Sequence, residues 1–217
     1  MMNSMKWQRI LYRSVLSLGS ALGVGLYLYQ TEDPVSSLSY FTNQSNLLCV
    51  GLFGVLVVRE LLGKTNESKV LRFLKGQATV AIVLTGLVFN LMLRPFLLNS
   101  DGYDPTTLRD FLVHVSTPLL VFGDFLLFDR RGEVGKFQPL RWVAFPALYW
   151  VYTIVYAALG GTFYLSEEAT SQYPYFFMNV AEYGPLPILV VALSVVLIGY
   201  CLYWVDRGLL KRKEPAA

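Results

Sequence analysis

Charge is what this 217-residue chain has least of: Lys, Arg, Asp and Glu together make up 15% of it, against about 25% in an ordinary soluble domain. With 54% hydrophobic residues, that scarcity excludes a soluble globular fold and points to a bilayer. Cysteine occurs twice, as Cys49 and Cys201. The two are expected at opposite depths of the membrane, which argues against a disulfide. Histidine occurs once, as His114, so no zinc-ligand spacing is available. Internal repeats, a glycine-rich phosphate loop and low-complexity tracts are all missing. No metal site and no organic cofactor is implied, and nothing in the charge pattern calls for nucleic acid.

What the chain does have is long apolar runs. Six are long enough to span a hydrocarbon core of roughly 30 Å, near residues 10–29, 41–58, 74–93, 111–128, 142–159 and 186–203. The expected fold class is therefore all-α, a single integral membrane bundle of six transmembrane helices with both termini cytoplasmic. Charge placement supports the count. With the N-terminus inside, 16 of the 18 Lys and Arg residues fall on the inner side, and only Arg94 and Arg109 fall outside, as the positive-inside rule requires. The outer loops carry Glu32, Asp33, Asp101, Asp104, Asp110, Glu167, Glu168 and Glu182 instead. The first run is too long for a typical signal-peptide core and no small-residue cleavage site follows it, so it is expected to be retained.

Helix direction converts position into depth at 1.5 Å per residue. Thr42, Ser45, Asn46 and Cys49 then form one stripe from the outer boundary of the second span. Asn90 and Arg94 end the third span one turn apart. His114 lies one turn inside Asp110 in the fourth, and Tyr149, Tyr152, Thr153 and Tyr156 stripe the outer half of the fifth. An ionisable side chain at membrane depth marks a functional site by default. Pro118 lacks the N–H that would bond the carbonyl of His114, so a kink and a free carbonyl are expected beside the imidazole.

These residue types suggest acyl transfer. Imidazole is the usual general base near neutral pH, and a hydroxyl needs an adjacent base to become nucleophilic. Thr42 and Ser45 offer hydroxyls. Asn43, Gln44, Asn46 and Asn90 offer amides for an oxyanion, Arg94 can hold a carboxylate or phosphate, and Tyr152 and Tyr156 complete the candidate substrate-binding set.

The runs YFTNQSN (Tyr40 to Asn46), GLVFNLMLRP (ending at Arg94 and Pro95), LVHVSTPLLVF around His114, DFLLFDRRG (Asp124 to Gly132) and YPYFF (Tyr173 to Phe177) resemble the androgen-induced-gene family, and more closely its bacterial six-helix branch. The resemblance covers nearly the whole chain. It implies a bacterial cytoplasmic membrane and an intramembrane threonine hydrolase that cleaves fatty acid esters of hydroxy fatty acids. Thr42 would be the nucleophile, His114 the base, and membrane lipids and a lipid ester the partners. The sequence does not specify an oligomeric state.

Other roles fit the same residues. His114 can serve as an interhelical hydrogen-bonding group and Thr42 as the N-cap of its helix. Asn90 and Arg94 can simply terminate a span, with Arg94 snorkelling. Asp124 is expected to pair with an inner cation such as Arg141, and the tyrosine stripe and Trp7, Trp142 and Trp204 to anchor the interfaces. A non-enzymatic lipid or small-anion binder or transporter using Asn90, Arg94 and His114 is the alternative to a hydrolase. The outer loop from Gly160 to Gly184, aromatic and without Lys or Arg, is expected to cover the polar pocket.

Overall fold

The computed structural model describes residues 2–64, 66–98, 104, 106–166 and 169–211. Asp101, Glu167, Glu168, Arg212 and Lys213 of the charge pattern lie outside them, as does the side chain of Tyr164. The chain folds into α1 (Met2–Gln30), α2 (Pro34–Leu38), α3 (Phe41–Leu61), α4 (Lys69–Leu97), α5 (Leu108–Phe128), α6 (Gln138–Arg141), α7 (Ala144–Ala158), α8 (Val180–Tyr183) and α9 (Leu186–Lys211). Between α7 and α8 a small antiparallel hairpin pairs β1 (Phe163–Ser166) with β2 (Ala169–Ser171), and a 3-10 turn follows at Phe176–Met178.

Five helices, α1, α3, α4, α5 and α9, are long and apolar enough to cross a membrane. The segment expected at 142–159 forms α7, with 15 residues and a length of about 22 Å. Its start is shortened by Pro146, which cannot donate to the carbonyl of Trp142 and so belongs in the first turn of a helix beginning at Ala144.

α1 packs on α3, α3 on α4, α4 on α5, and α5 closes the ring on α1. Leu16, Phe53, Ala78, Ile82 and Val121 fill its centre. A second cluster joins α4 to α7 and α9 through Val80, Leu84, Tyr149, Val195 and Ile198. α4 belongs to both clusters and is buried from Lys75 to Ile82 without interruption, with its polar Lys75 and Thr79 satisfied by Asp124 and by the Lys75 carbonyl. α9 instead leaves Leu189, Leu193 and Leu197 exposed, a face suited to lipid.

One end of the bundle gathers the start of α1 and the ends of α3, α5 and α9. Nε of Arg9 meets Glu60 at 2.7 Å, and the N–H of Gly132 bonds the carboxylate of Asp206. Asp124 is fully buried there. Its partners are Arg13 at 2.8 Å and Lys75 at 2.5 Å rather than the expected Arg141, because it faces the ring interior while Arg141 is exposed on α6. Trp142 is likewise no interfacial anchor. It is 1% exposed, pressed against Gly76, where any side chain would collide with the indole. Trp7 and Trp204 are exposed, in keeping with a belt. Cys49 is buried, Cys201 is exposed, and both are free thiols.

Candidate active site

Two prolines shape the opposite end. α4 and α5 each contain one π turn, Phe89–Leu93 and Leu112–Ser116, and each turn ends two residues before a proline, Pro95 and Pro118. In α5 the N–H of Thr117 reaches back to the carbonyl of Leu112, and Pro118 has no N–H to give. The carbonyls of Val113 and His114 therefore lose their ordinary helical donors, and buried acceptors need replacements. Asn46 of α3 donates to the Val113 carbonyl at 3.3 Å, and Asn90 of α4 donates to the His114 carbonyl at 3.0 Å. The free carbonyl expected beside the imidazole exists, and a neighbouring helix satisfies it.

Such close docking needs small residues. A Cβ on Gly23 of α1 would lie 2.7 Å from Cγ1 of Val113. One on Gly86 of α4 would lie 3.0 Å from the Pro118 ring and 3.2 Å from the His114 carbonyl oxygen.

This framework holds the His114 ring 3% exposed. The ring stacks on Phe89 with centroids 3.4 Å apart and planes within 2°, and meets the edge of Tyr27 at 6.4 Å. Nδ1 faces Asp110, 3.8 Å from Oδ1. The Tyr27 hydroxyl donates to that same oxygen at 2.5 Å. Nε2 faces the Thr42 hydroxyl at 3.4 Å. Thr42 is not the N-cap of α3: Tyr40 takes that position, and Thr42 sits in the first turn with its hydroxyl free of capping.

The other candidates separate. Ser45 bonds the Thr42 carbonyl at 3.0 Å and the Thr85 hydroxyl at 2.9 Å, turned away from the imidazole. Asn46 spends its amide on the Thr42 and Val113 carbonyls and accepts from Ser20, and Asn90 spends its amide on Gly86 and His114. Asn43 donates to Ser37. Gln44, two residues past Thr42, lies across the helix from it. Arg94 bonds Oδ1 of Asn90 at 3.2 Å. Tyr152 pairs with Ser39 at 2.7 Å and Tyr156 reaches the Thr162 carbonyl at 3.4 Å, both within an aromatic ladder that continues to Phe163. The amides thus support the backbone around the pair rather than pointing at a common reacting atom.

The loop between α7 and α8 reaches the pair. The Tyr175 hydroxyl accepts from the Thr42 N–H at 3.4 Å. Burial holds this phenol above its ordinary range, so it stays protonated and keeps a proton to donate. Phe177 and Met178 of the same loop line an apolar cavity of about 390 Å³ between α4, α7 and α9, which ends at Thr42 and Phe89. That volume lies within the range of about 300–1,000 Å³ typical of small-molecule sites. His114 is behind this wall, not on it. Among the described residues no three His, Cys, Asp or Glu side chains are grouped to hold a metal ion.

Sequence reasoning missed Ser20 and Tyr27 of α1 and the stacking role of Phe89, and it placed Tyr175 in a covering loop without its contact to Thr42. Ser20, Gly23 and Tyr27 recur at i, i+3 and i+7, a small and polar stripe that was the available signal for α1. No protein family, curated protein or solved structure matches the chain.

Proposed function

We propose that this protein is an intramembrane lipid ester hydrolase, as its resemblance to the androgen-induced-gene family implies, with Thr42 as nucleophile and His114 as general base. In this reading α7 is the sixth span despite its length, both termini are cytoplasmic, the site opens toward the outer leaflet, and the membrane is the bacterial cytoplasmic one. The observation that carries the proposal is the Thr42 to His114 separation of 3.4 Å at the polar end of an apolar cavity. Apo catalytic hydrogen bonds are commonly longer than the roughly 2.6–3.2 Å of a working complex.

The ester enters from the lipid with its acyl chain in the cavity. Thr42 Oγ1 attacks the carbonyl carbon and passes its proton to Nε2 of His114. The oxyanion inserts between the Thr42 N–H and the Tyr175 hydroxyl, displacing their long 3.4 Å bond and accepting from both, while the Asn amides stay on backbone carbonyls. Collapse breaks the ester C–O bond, and His114 returns the proton to the leaving alcohol. Water, deprotonated by His114, then attacks the acyl-threonine, releasing the acid and restoring the Thr42 hydroxyl. Asp110, held by the Tyr27 hydroxyl, faces Nδ1 and orients the imidazole.

Hydrolysis of a long-chain p-nitrophenyl ester and of a branched fatty acid ester by the purified protein tests this, with Thr42→Ala and His114→Ala beside wild type. Loss of about 10²–10⁴-fold in the His114 variant is expected, and loss of covalent activity-probe labelling in the Thr42 variant. Folded wild type without activity would instead favour a lipid binder, which the apolar cavity also suits. Thr42→Ser separates the two, since an enzyme keeps partial turnover while a binder is indifferent.

A further inference from the structure

The far end of the bundle holds a larger cavity, about 990 Å³, walled by the start of α1, the start of α4, the end of α5 and α6. Its lining carries seven Lys and Arg side chains and four carboxylates. The carboxylates are taken. Glu60 is paired by Arg9 at 2.7 Å and Arg13 at 3.5 Å, Glu67 by Arg13 at 3.5 Å, Glu133 by Arg72 at 2.9 Å, and Asp129 by Lys75. Four lining cations, Lys6, Lys69, Arg130 and Arg141, have no carboxylate within salt-bridge distance among the described residues. Arg130 instead bonds the neutral amide of Asn66 at 2.8 Å, which with the Arg72 to Glu133 pair ties the loop before α4 to the turn after α5.

The unneutralised charge of this cavity is therefore positive, and it comes from α1, α4, the turn after α5, and α6. Lys69, Arg130 and Arg141 are exposed, at the mouth. Much of the remaining wall is apolar: Phe73, Phe125, Phe128, Val134 and Trp142. Guanidinium groups match the several oxygens of a phosphate, and basic pockets between membrane helices suit anionic headgroups.

We propose that this cavity binds a phosphate-bearing ligand, its phosphate held at the mouth by Lys69, Arg130 and Arg141 and its apolar portion laid against Phe73 and Phe128. The site is separate from the Thr42 pair, about 20 Å away along α4 from Lys75 to Asn90. It does not depend on the hydrolase assignment.

Native mass spectrometry of the detergent-solubilised full chain with added phosphatidylglycerol tests the proposal, with glycerol 3-phosphate and inorganic phosphate as competing arms. One phosphatidylglycerol per chain is expected in wild type, with affinity reduced at least about tenfold by Lys69→Gln with Arg141→Gln, as loss of charge-assisted hydrogen bonds predicts. Lys64→Gln with Lys136→Gln, exposed cations of the same end but outside the lining, should leave it unchanged. Displacement by glycerol 3-phosphate with the same variant dependence makes the occupant a soluble organic phosphate; retention of the lipid alone makes it a membrane lipid. Equal loss in both double variants, or no bound phosphate compound in any arm, overturns the proposal. Should the first pair fail to give a melting transition, Arg130→Gln alone carries the same expectation.

Discussion

The side-chain amide of Asn90 donates to the carbonyl of His114 at 3.0 Å, so α4 caps a backbone group that Pro118 has freed in α5. Replacing Asn90 with Leu leaves that carbonyl buried without a donor, at a cost of about 1–3 kcal/mol. We expect a lower melting temperature in detergent and a fall in kcat, because the cap also sets the position of the imidazole. An unchanged melting temperature would show that the carbonyl finds another donor.

Asp110 and Tyr27 act through His114. Asp110→Asn should lower kcat with little change in KM, because the group that faces Nδ1 and orients the imidazole is altered. Tyr27→Phe removes the hydrogen bond to Asp110 and should have a smaller effect. Wild-type kcat in both variants would leave these residues with a packing role only.

Ala147 lines the apolar cavity on α7. Ala147→Trp should fill part of it. We expect kcat/KM for long-chain esters to fall while short-chain esters are hydrolysed as before. Equal loss for both chain lengths would mean that the acyl chain lies elsewhere.

Asp124 pairs with Arg13 and Lys75 in full burial. Asp124→Ala removes the fully buried carboxylate of the set and leaves Arg13 with Glu60 and Glu67 and Lys75 with Asp129; breaking such a buried set costs about 3–5 kcal/mol. The expected result is a large loss of thermal stability with the Thr42 to His114 chemistry intact in whatever protein remains folded. Preserved stability would place water or a counter-ion at the cluster.

Much of this architecture is legible in the linear pattern. Apolar runs beyond 18 residues at α1, α3, α4, α5 and α9 have few alternatives to crossing a bilayer, and Pro118 could be read as freeing the carbonyl of His114. The α7 helix starts at Ala144, two residues inside the apolar run, because Pro146 cannot continue a hydrogen-bond ladder through Trp142. Depth and residue type left Thr42 and Ser45 both open as the hydroxyl beside His114, and only the resemblance singled out Thr42; the Asn residues at the same depth could not be sorted into donors for substrate and donors for backbone.

Composition and local periodicity are properties of the chain's neighbours in sequence, so membrane insertion, the helical class and the depth of each polar group follow from them directly. Which helices touch, and which way a side chain turns once they do, depends on contacts between residues far apart in the chain. Gly23 and Gly86 let α1 and α4 close on α5, and the packing of the whole bundle brings Thr42 to His114 across 72 positions, Tyr27 to Asp110 across 83, and Tyr175 to Thr42 across 133. Depth restricts each of these residues to a layer, and helix packing selects its partner within that layer.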